Sequence, residues 1–155
     1  MSFQITALDA DRFAGLFDMS DEALAEHLAV RLTATSKPGF PCRVSLADAE
    51  IGDEVILVNH QHQGGVSPYR ATHAVYVRKD APQAHPAVGE VPELFLARVL
   101  SLRAFDDQAM MIGVDLVDGG DLAPALDRLL AEPSAAYVHI HYAKAGCYAA
   151  RADRV

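Results

Sequence analysis

The sequence contains no tryptophan, only two cysteines, and no apolar run approaching the roughly 18 residues that a membrane helix requires. Its apolar residues are mostly Ala, Val and Leu, so we expect a core of aliphatic side chains. Cys42 and Cys147 are too few to define a disulfide framework. The N-terminus lacks the basic region and apolar stretch of a signal peptide, which predicts a cytoplasmic protein with reduced thiols and no membrane partner.

Positive charge is also scarce. There are 13 Lys and Arg residues against 21 Asp and Glu residues, a formal net charge of −8. A negative potential repels phosphate groups, which argues against nucleic-acid binding. The C-terminal segment is an exception, because Lys144, Arg151 and Arg154 are opposed there only by Asp153. A local cationic site for a small anion is therefore compatible with the composition.

Familiar catalytic motifs are missing as well. The sequence has no G-x-x-x-x-G-K-[ST] or G-x-G-x-x-G loop for a nucleotide and no G-x-S-x-G elbow for a serine hydrolase. It also has no C-x-x-C or H-E-x-x-H framework for a metal. We therefore predict no nucleotide cofactor, and the sequence leaves open whether the protein is an enzyme.

Short strands and helices follow one another without regular alternation, which predicts one α+β domain over residues 1–155. We expect a largely antiparallel sheet that could curl toward a barrel, with about three short helices. Ser20 is the expected cap of the first helix, Pro92 the expected first residue of the second, and Asp118 or Asp121 the expected cap of the third. Residues 45–48 suit a single helical turn, and residues after the "AAYVHIHYA" strand are predicted to form a short tail.

Histidines are concentrated in "NHQH" and "VHIH". Residues two apart on a strand share a face, so His60 with His62, and His139 with His141, could place four imidazoles around Zn, Cu, Ni or Fe. A two-residue motif also arises by chance, and "AYVHIHYA" alternates as any half-exposed strand does. The sequence favours this ordinary interpretation and keeps a metal site as an alternative.

Other polar side chains occur where predicted strands meet loops. Such ends often converge on a small-molecule site. Arg70 and Arg151 could hold a carboxylate or phosphate, although each could instead pair with an acidic side chain. The candidate ligand-binding residues are Tyr69, Arg70, His73, Tyr148 and Arg151.

Cys147 is a candidate nucleophile, because nearby Lys144 and Arg151 would favour its thiolate, with His139 or His141 as the base. An inert, buried thiol is the more common case. The leading hypothesis is a small cytoplasmic ligand-binding domain for a small anionic molecule, and the sequence leaves open whether it is an enzyme that acts on that molecule. The alternatives are a metal-binding protein and a protein–protein interaction module, and a homodimer is expected only because homodimers are common.

Several longer segments carry a family resemblance, above all "GFPCRVSLADAE" and "GCYAARADR". Together with "GDEVILVNH", "SPYRATHAVYV" and "AYVHIHYA", they resemble a bacterial family of small proteins, domain-of-unknown-function family 1203. The resemblance extends over nearly the whole chain. It implies a stand-alone bacterial domain, and it carries over no catalytic residues.

Overall fold

The computed structural model describes residues 2–155. The chain divides into two compact units. Unit 1 comprises the N-terminal residues through Thr6, the segment Gln61–His73, and His85–Val155. Unit 2 comprises Ala7–His60 and Ala74–Ala84. That residues 1–155 act as a single domain stays a prediction.

Strands outnumber helices in the described part of the chain. The strands are β1 (Phe3–Thr6), β2 (Ala29–Thr33), β3 (Pro41–Cys42), β4 (Ala47–Asp48), β5 (Glu54–Gln63), β6 (Ala71–Arg78), β7 (Val99–Phe105), β8 (Met111–Asp118), β9 (Tyr137–Tyr142) and β10 (Tyr148–Arg154). The α-helices are α1 (Asp21–Glu26), α2 (Glu93–Leu96) and α3 (Leu122–Leu130). Short 3₁₀ helices cover Ala10–Arg12, Ala14–Asp18 and Gly119–Asp121.

Unit 1 is built on an antiparallel five-stranded sheet with the order β1-β10-β9-β7-β8. Helix α3 covers one face, because a Cβ on Gly113 of β8 would lie 3.3 Å from the Leu129 side chain. Gly113 is paired with Ala104, so the neighbouring Leu102 and Ile140 point to this same face and are fully buried. The opposite face carries the histidines of β9.

Unit 2 contains most of the second sheet, whose order is β2-β5-β6-β3-β4. β3 runs parallel to β6 and antiparallel to β4, and β2 runs antiparallel to β5. Its core contains aromatic and aliphatic side chains that include Phe13, Leu24, Ile56 and Val75. The ends of β5 and β6, and the loop that joins them, extend into unit 1 as Gln61–His73, which we call the hairpin tip.

The α+β class and the mostly antiparallel pairing are confirmed, while the strands of residues 2–155 form two open sheets and no closed barrel. The Ser20 cap is also confirmed, since its hydroxyl accepts a hydrogen bond from the Ala23 amide. Pro92 precedes α2 as its cap residue instead of opening it, and Asp121 occupies the cap position of α3 without a side-chain capping bond.

Two local predictions are wrong. Residues 45–48 form a turn that ends in β4, because Ala47 and Asp48 pair with β3. The predicted tail is β10, a strand that lies between β1 and β9. Its sequence is rich in alanine, which is depleted in strands, so local propensity gave a weak signal. Among the described residues no helix combines the length and the apolar character needed to cross a bilayer, and the cytoplasmic location stays a prediction.

Candidate histidine site

The histidine face of β9 is buried. His139 is 3% exposed and His141 is fully buried, so β9 is enclosed on both faces and is not the half-exposed strand that its alternation suggested. The hairpin tip supplies contacts on this face within unit 1. The His62 ring lies 5.1 Å from the His141 ring and 5.8 Å from the His139 ring, and Gln63 Nε2 donates a hydrogen bond to the Tyr137 hydroxyl at 2.9 Å.

Three histidines form what we call the histidine cluster: His62, His73 and His141. Each offers one ring nitrogen, and these three atoms lie within 4.8 Å of one another. The His62 and His73 rings are stacked, with centroids 4.6 Å apart and planes 2° apart. The His141 ring stands nearly perpendicular to both, at 81° and 82°. Nitrogen donors from two segments that are distant in sequence thus converge on one point.

The tautomer of His141 follows from its hydrogen bond. Its Nδ1 lies 3.0 Å from the Gly146 carbonyl oxygen, and because a carbonyl only accepts, Nδ1 must carry the hydrogen. The lone pair is then on Nε2, which is buried and has no hydrogen-bond partner among the described residues. Gly146 has φ of +84°, a conformation that favours glycine in the turn between β9 and β10. Burial lowers the pKa of His141 to about 3, and the charge of Arg103 acts in the same direction.

His139 lies next to the cluster. Its ring centroid is 6.4 Å from that of His141, and its Nδ1 is buried without a hydrogen-bond partner in the described part of the chain. Burial lowers the pKa of His139 to about 3, with smaller contributions from the charges of His62, Arg151 and Arg103. A neutral imidazole is therefore the stable form at this position near neutral pH.

Two arginines flank this face of the sheet. In the strand register, Arg151 of β10 and Arg103 of β7 lie on either side of His139. Arg151 is already paired, since its Nε lies 2.9 Å from an Asp153 carboxylate oxygen and its guanidinium lies 4.1 Å from the Tyr137 ring centre. Arg103 forms no hydrogen bond or ion pair among residues 2–155, and burial lowers its pKa. Sequence reasoning missed Arg103, although the alternation in "LSLRAF" places it on the polar face of the strand.

The other residues of the two predicted sites lie in several places. His73 joins His141, with ring centroids 5.3 Å apart, and the Tyr148 ring stacks on that of His62 at 5.2 Å. Arg70 donates hydrogen bonds to the carbonyls of the loop within the hairpin tip, and Tyr69 packs edge-on against the Phe105 ring at 6.1 Å. The sequence-based site thus converges at its histidines and Tyr148, while both predicted anion-binding arginines have partners within the protein.

His60 and Cys147 lie outside the histidine cluster. His60 belongs to unit 2, where its ring meets the edge of Phe13 at 5.8 Å. Burial lowers the pKa of His60 to about 4, and the charge of Arg12 contributes. Cys147 is a partly buried thiol in the turn before β10, and its sulfur is not one of the three clustered donor atoms. Of the four histidines in the predicted metal set, the cluster contains His62 and His141, and His73 takes a place that the sequence did not assign to a metal.

Comparisons with known proteins point to one family. Neither the curated proteins nor the solved structures include a match to the chain. The family model described as "Protein of unknown function (DUF1203)" matches residues 39–154, a range that contains the whole histidine cluster together with Arg103 and Tyr148. The match confirms the resemblance seen in the sequence, and the chain belongs to the DUF1203 family.

Proposed function

We propose that this protein binds one transition-metal ion through His62, His73 and His141 and presents an open coordination position to a small ligand. The observation that carries the proposal is the convergence of three ring nitrogens within 4.8 Å at His141, whose Nδ1–Gly146 hydrogen bond leaves the lone pair on a buried Nε2. Metal-ligating histidines characteristically donate their other ring N–H to a carbonyl or carboxylate, which fixes the tautomer and the ring orientation.

The donor set suits the borderline metals. Imidazole is a ligand for Zn²⁺, Cu²⁺, Ni²⁺ and Fe²⁺, whereas Mg²⁺ and Ca²⁺ prefer oxygen, and no carboxylate belongs to the cluster. Zinc–nitrogen bonds of about 2.0–2.1 Å place tetrahedral donors about 3.4 Å apart. The present separations of up to 4.8 Å therefore require the rings to close by about 1.4 Å at most. His62 and His73 are only partly buried, whereas His141 is fully buried, so we expect the two hairpin-tip rings to make most of this adjustment.

Three protein ligands are typical of a catalytic or ligand-binding site, because a structural zinc site normally uses four. A divalent ion held by three neutral imidazoles keeps its full charge, so its open position favours an anion or a water molecule that loses a proton readily. The small anionic ligand expected from the sequence would bind at this position.

Metal titration tests the proposal directly. Protein stripped with a chelator should take up one Co²⁺ or Zn²⁺ per chain, measured by native mass spectrometry and by the visible absorption of bound Co²⁺. His73→Ala and His141→Ala should each weaken the affinity by at least about 100-fold, because loss of an outer-shell partner alone costs 10–100-fold. His73→Ala is the safer variant for folding, since His73 is only partly buried.

Two further variants serve as controls. His85→Ala removes an exposed histidine of unit 1 and should leave the affinity unchanged. His139→Gln removes a neighbour that we do not assign as a ligand, so one metal per chain should still bind. A stripped wild-type protein that takes up no stoichiometric metal, or an equal loss of affinity in His85→Ala and His73→Ala, would overturn the proposal.

A further inference from the structure

Arg103 is the charged group best placed to act together with the histidine cluster. In the antiparallel register it lies directly opposite His139 on β9 and directly opposite Val114 on β8. His141 is paired with Ser101, two residues before Arg103, so Arg103 shares the face of the sheet that carries both His139 and His141. No carboxylate within residues 2–155 pairs with it, in a chain with 21 acidic residues.

A partly buried guanidinium without a counter-ion is costly, and the cost falls when an anion from solution binds it. The planar N–H fork of arginine matches the two oxygens of a carboxylate. Arg151, across β9, differs because Asp153 already occupies its fork. The histidine cluster contains no carboxylate, so it supplies no negative charge that could satisfy Arg103 instead.

Next to Arg103 lies a row of exposed apolar side chains. Val114 is 67% exposed and Leu116 is 66% exposed. Leu116 is paired with Ser101, so both apolar residues point to the same face of the sheet as Arg103 and the histidines of β9. Across this face of the sheet, β9 thus carries buried histidines, β7 carries the Arg103 cation, and the edge strand β8 carries exposed apolar side chains.

We infer that the protein binds a small carboxylate that bears an apolar chain, with one carboxylate oxygen at the open position of the metal, the Arg103 guanidinium on the carboxylate, and the chain over Val114 and Leu116. The inference rests on the proposed metal function and names its ligand class. An amphiphilic carboxylic acid fits because it uses the charge and the apolar row together, and its two oxygens match the arginine fork.

The absorption spectrum of the Co²⁺-loaded protein reports an anion that enters the metal's coordination sphere. We would titrate it with acetate, hexanoate and inorganic phosphate. A buried CH₂ contributes up to about four-fold in affinity, so four half-covered methylenes should make hexanoate bind at least about 10-fold more tightly than acetate. Phosphate, which has no apolar part, should bind less tightly than hexanoate.

Variants separate the two contacts. Arg103→Gln should weaken both acids by at least about 10-fold while one Co²⁺ per chain still binds, and Arg103→Lys should restore part of the loss because the charge returns. Leu116→Ser, which leaves Val114 in place, should reduce the preference for hexanoate and leave acetate binding intact. Ile51→Ser, which changes an equally exposed apolar residue of unit 2, is the matched control and should change neither.

The outcomes distinguish failure of the carboxylate inference from failure of the proposed metal site. If Co²⁺ binds with one ion per chain but hexanoate gives no spectral change, or phosphate binds more tightly than hexanoate, the carboxylate inference is wrong and the metal site stands. If Arg103→Gln binds both acids as the wild type does, the assignment of Arg103 is wrong. If the metal stoichiometry is zero, both the inference and the metal proposal are refuted.

Discussion

Acid should destabilise the metal-free protein well above the pH at which carboxylates titrate. The perturbation is a change from about pH 7.5 to about pH 5 in the presence of a chelator. His60, His139 and His141 are at most 7% exposed, and burial lowers their pKa values from 6.5 to about 4, about 3 and about 3. Because the unfolded chain binds these protons and the folded chain does not, stability is complete above pH 6.5 and falls as the pH decreases toward the folded pKa values.

The magnitude follows from the pKa differences. At about pH 5, the unfolded form of each histidine is mostly protonated and the folded form mostly neutral, which costs about 2 kcal/mol per group. Three such groups lower the free energy of unfolding by about 6 kcal/mol, against a usual total of about 5–15 kcal/mol. With a urea m-value of about 1.5–3 kcal/mol/M, the unfolding midpoint should fall by about 2–4 M.

Urea unfolding followed by circular dichroism at the two pH values measures this loss. The matched variant is His60→Gln, which removes one titrating group from unit 2 and should reduce the pH-dependent loss by about a third. A midpoint that is equal at both pH values would refute the assignment of neutral buried histidines. If His60→Gln showed the full pH dependence of the wild type, the contribution assigned to His60 would be refuted.

Two predictions concern structural residues. Gly119→Ala should lower the free energy of unfolding by at least about 3 kcal/mol, because its Cβ would lie 1.7 Å from the Phe95 carbonyl oxygen. The control is the neighbouring Gly120→Ala, whose Cβ would meet nothing within 4 Å, so its thermal unfolding should change little. Arg154→Ala should cost about 2 kcal/mol in urea unfolding, because its guanidinium donates to the Leu130 carbonyl and to two carbonyls that follow α3. Arg154→Lys keeps the charge and should recover part of that loss, and equal stability of both arginine variants would contradict this account.

Much of the strand pattern was predictable because period-two alternation is a local property. "YVHIHY" correctly separates His139 and His141 from Val138 and Ile140. The same alternation in "LSLRAF" predicts that Arg103 lies on the polar face of β7, although Arg103 was not among the residues predicted for the site. Alternation tells which side chains share a face, but it does not tell what covers that face.

The candidate site was only partly predictable for this reason. His62, His139, His141 and His73 were all named from the sequence, yet their grouping differed from the one found, because β5 continues through Gln63 and carries His62 into unit 1. His60, only two residues earlier, belongs to unit 2. A pair defined by spacing was divided by a boundary that no local signal marks.

The sequence by itself determined the α+β class, the family, the helix capped by Ser20 and the two faces of β9, since these depend on composition and on contacts between near neighbours in the chain. Tertiary structure alone decided that β10 is an interior strand and that the hairpin tip brings His62 and His73 to His141. It also left Arg103 without a carboxylate partner in the described chain. Contacts between distant parts of the chain set these features, such as the pairing of Phe3 with Arg154 and the ring contact of His73 with His141. The separate sequences of such segments carry no record of the partner they meet.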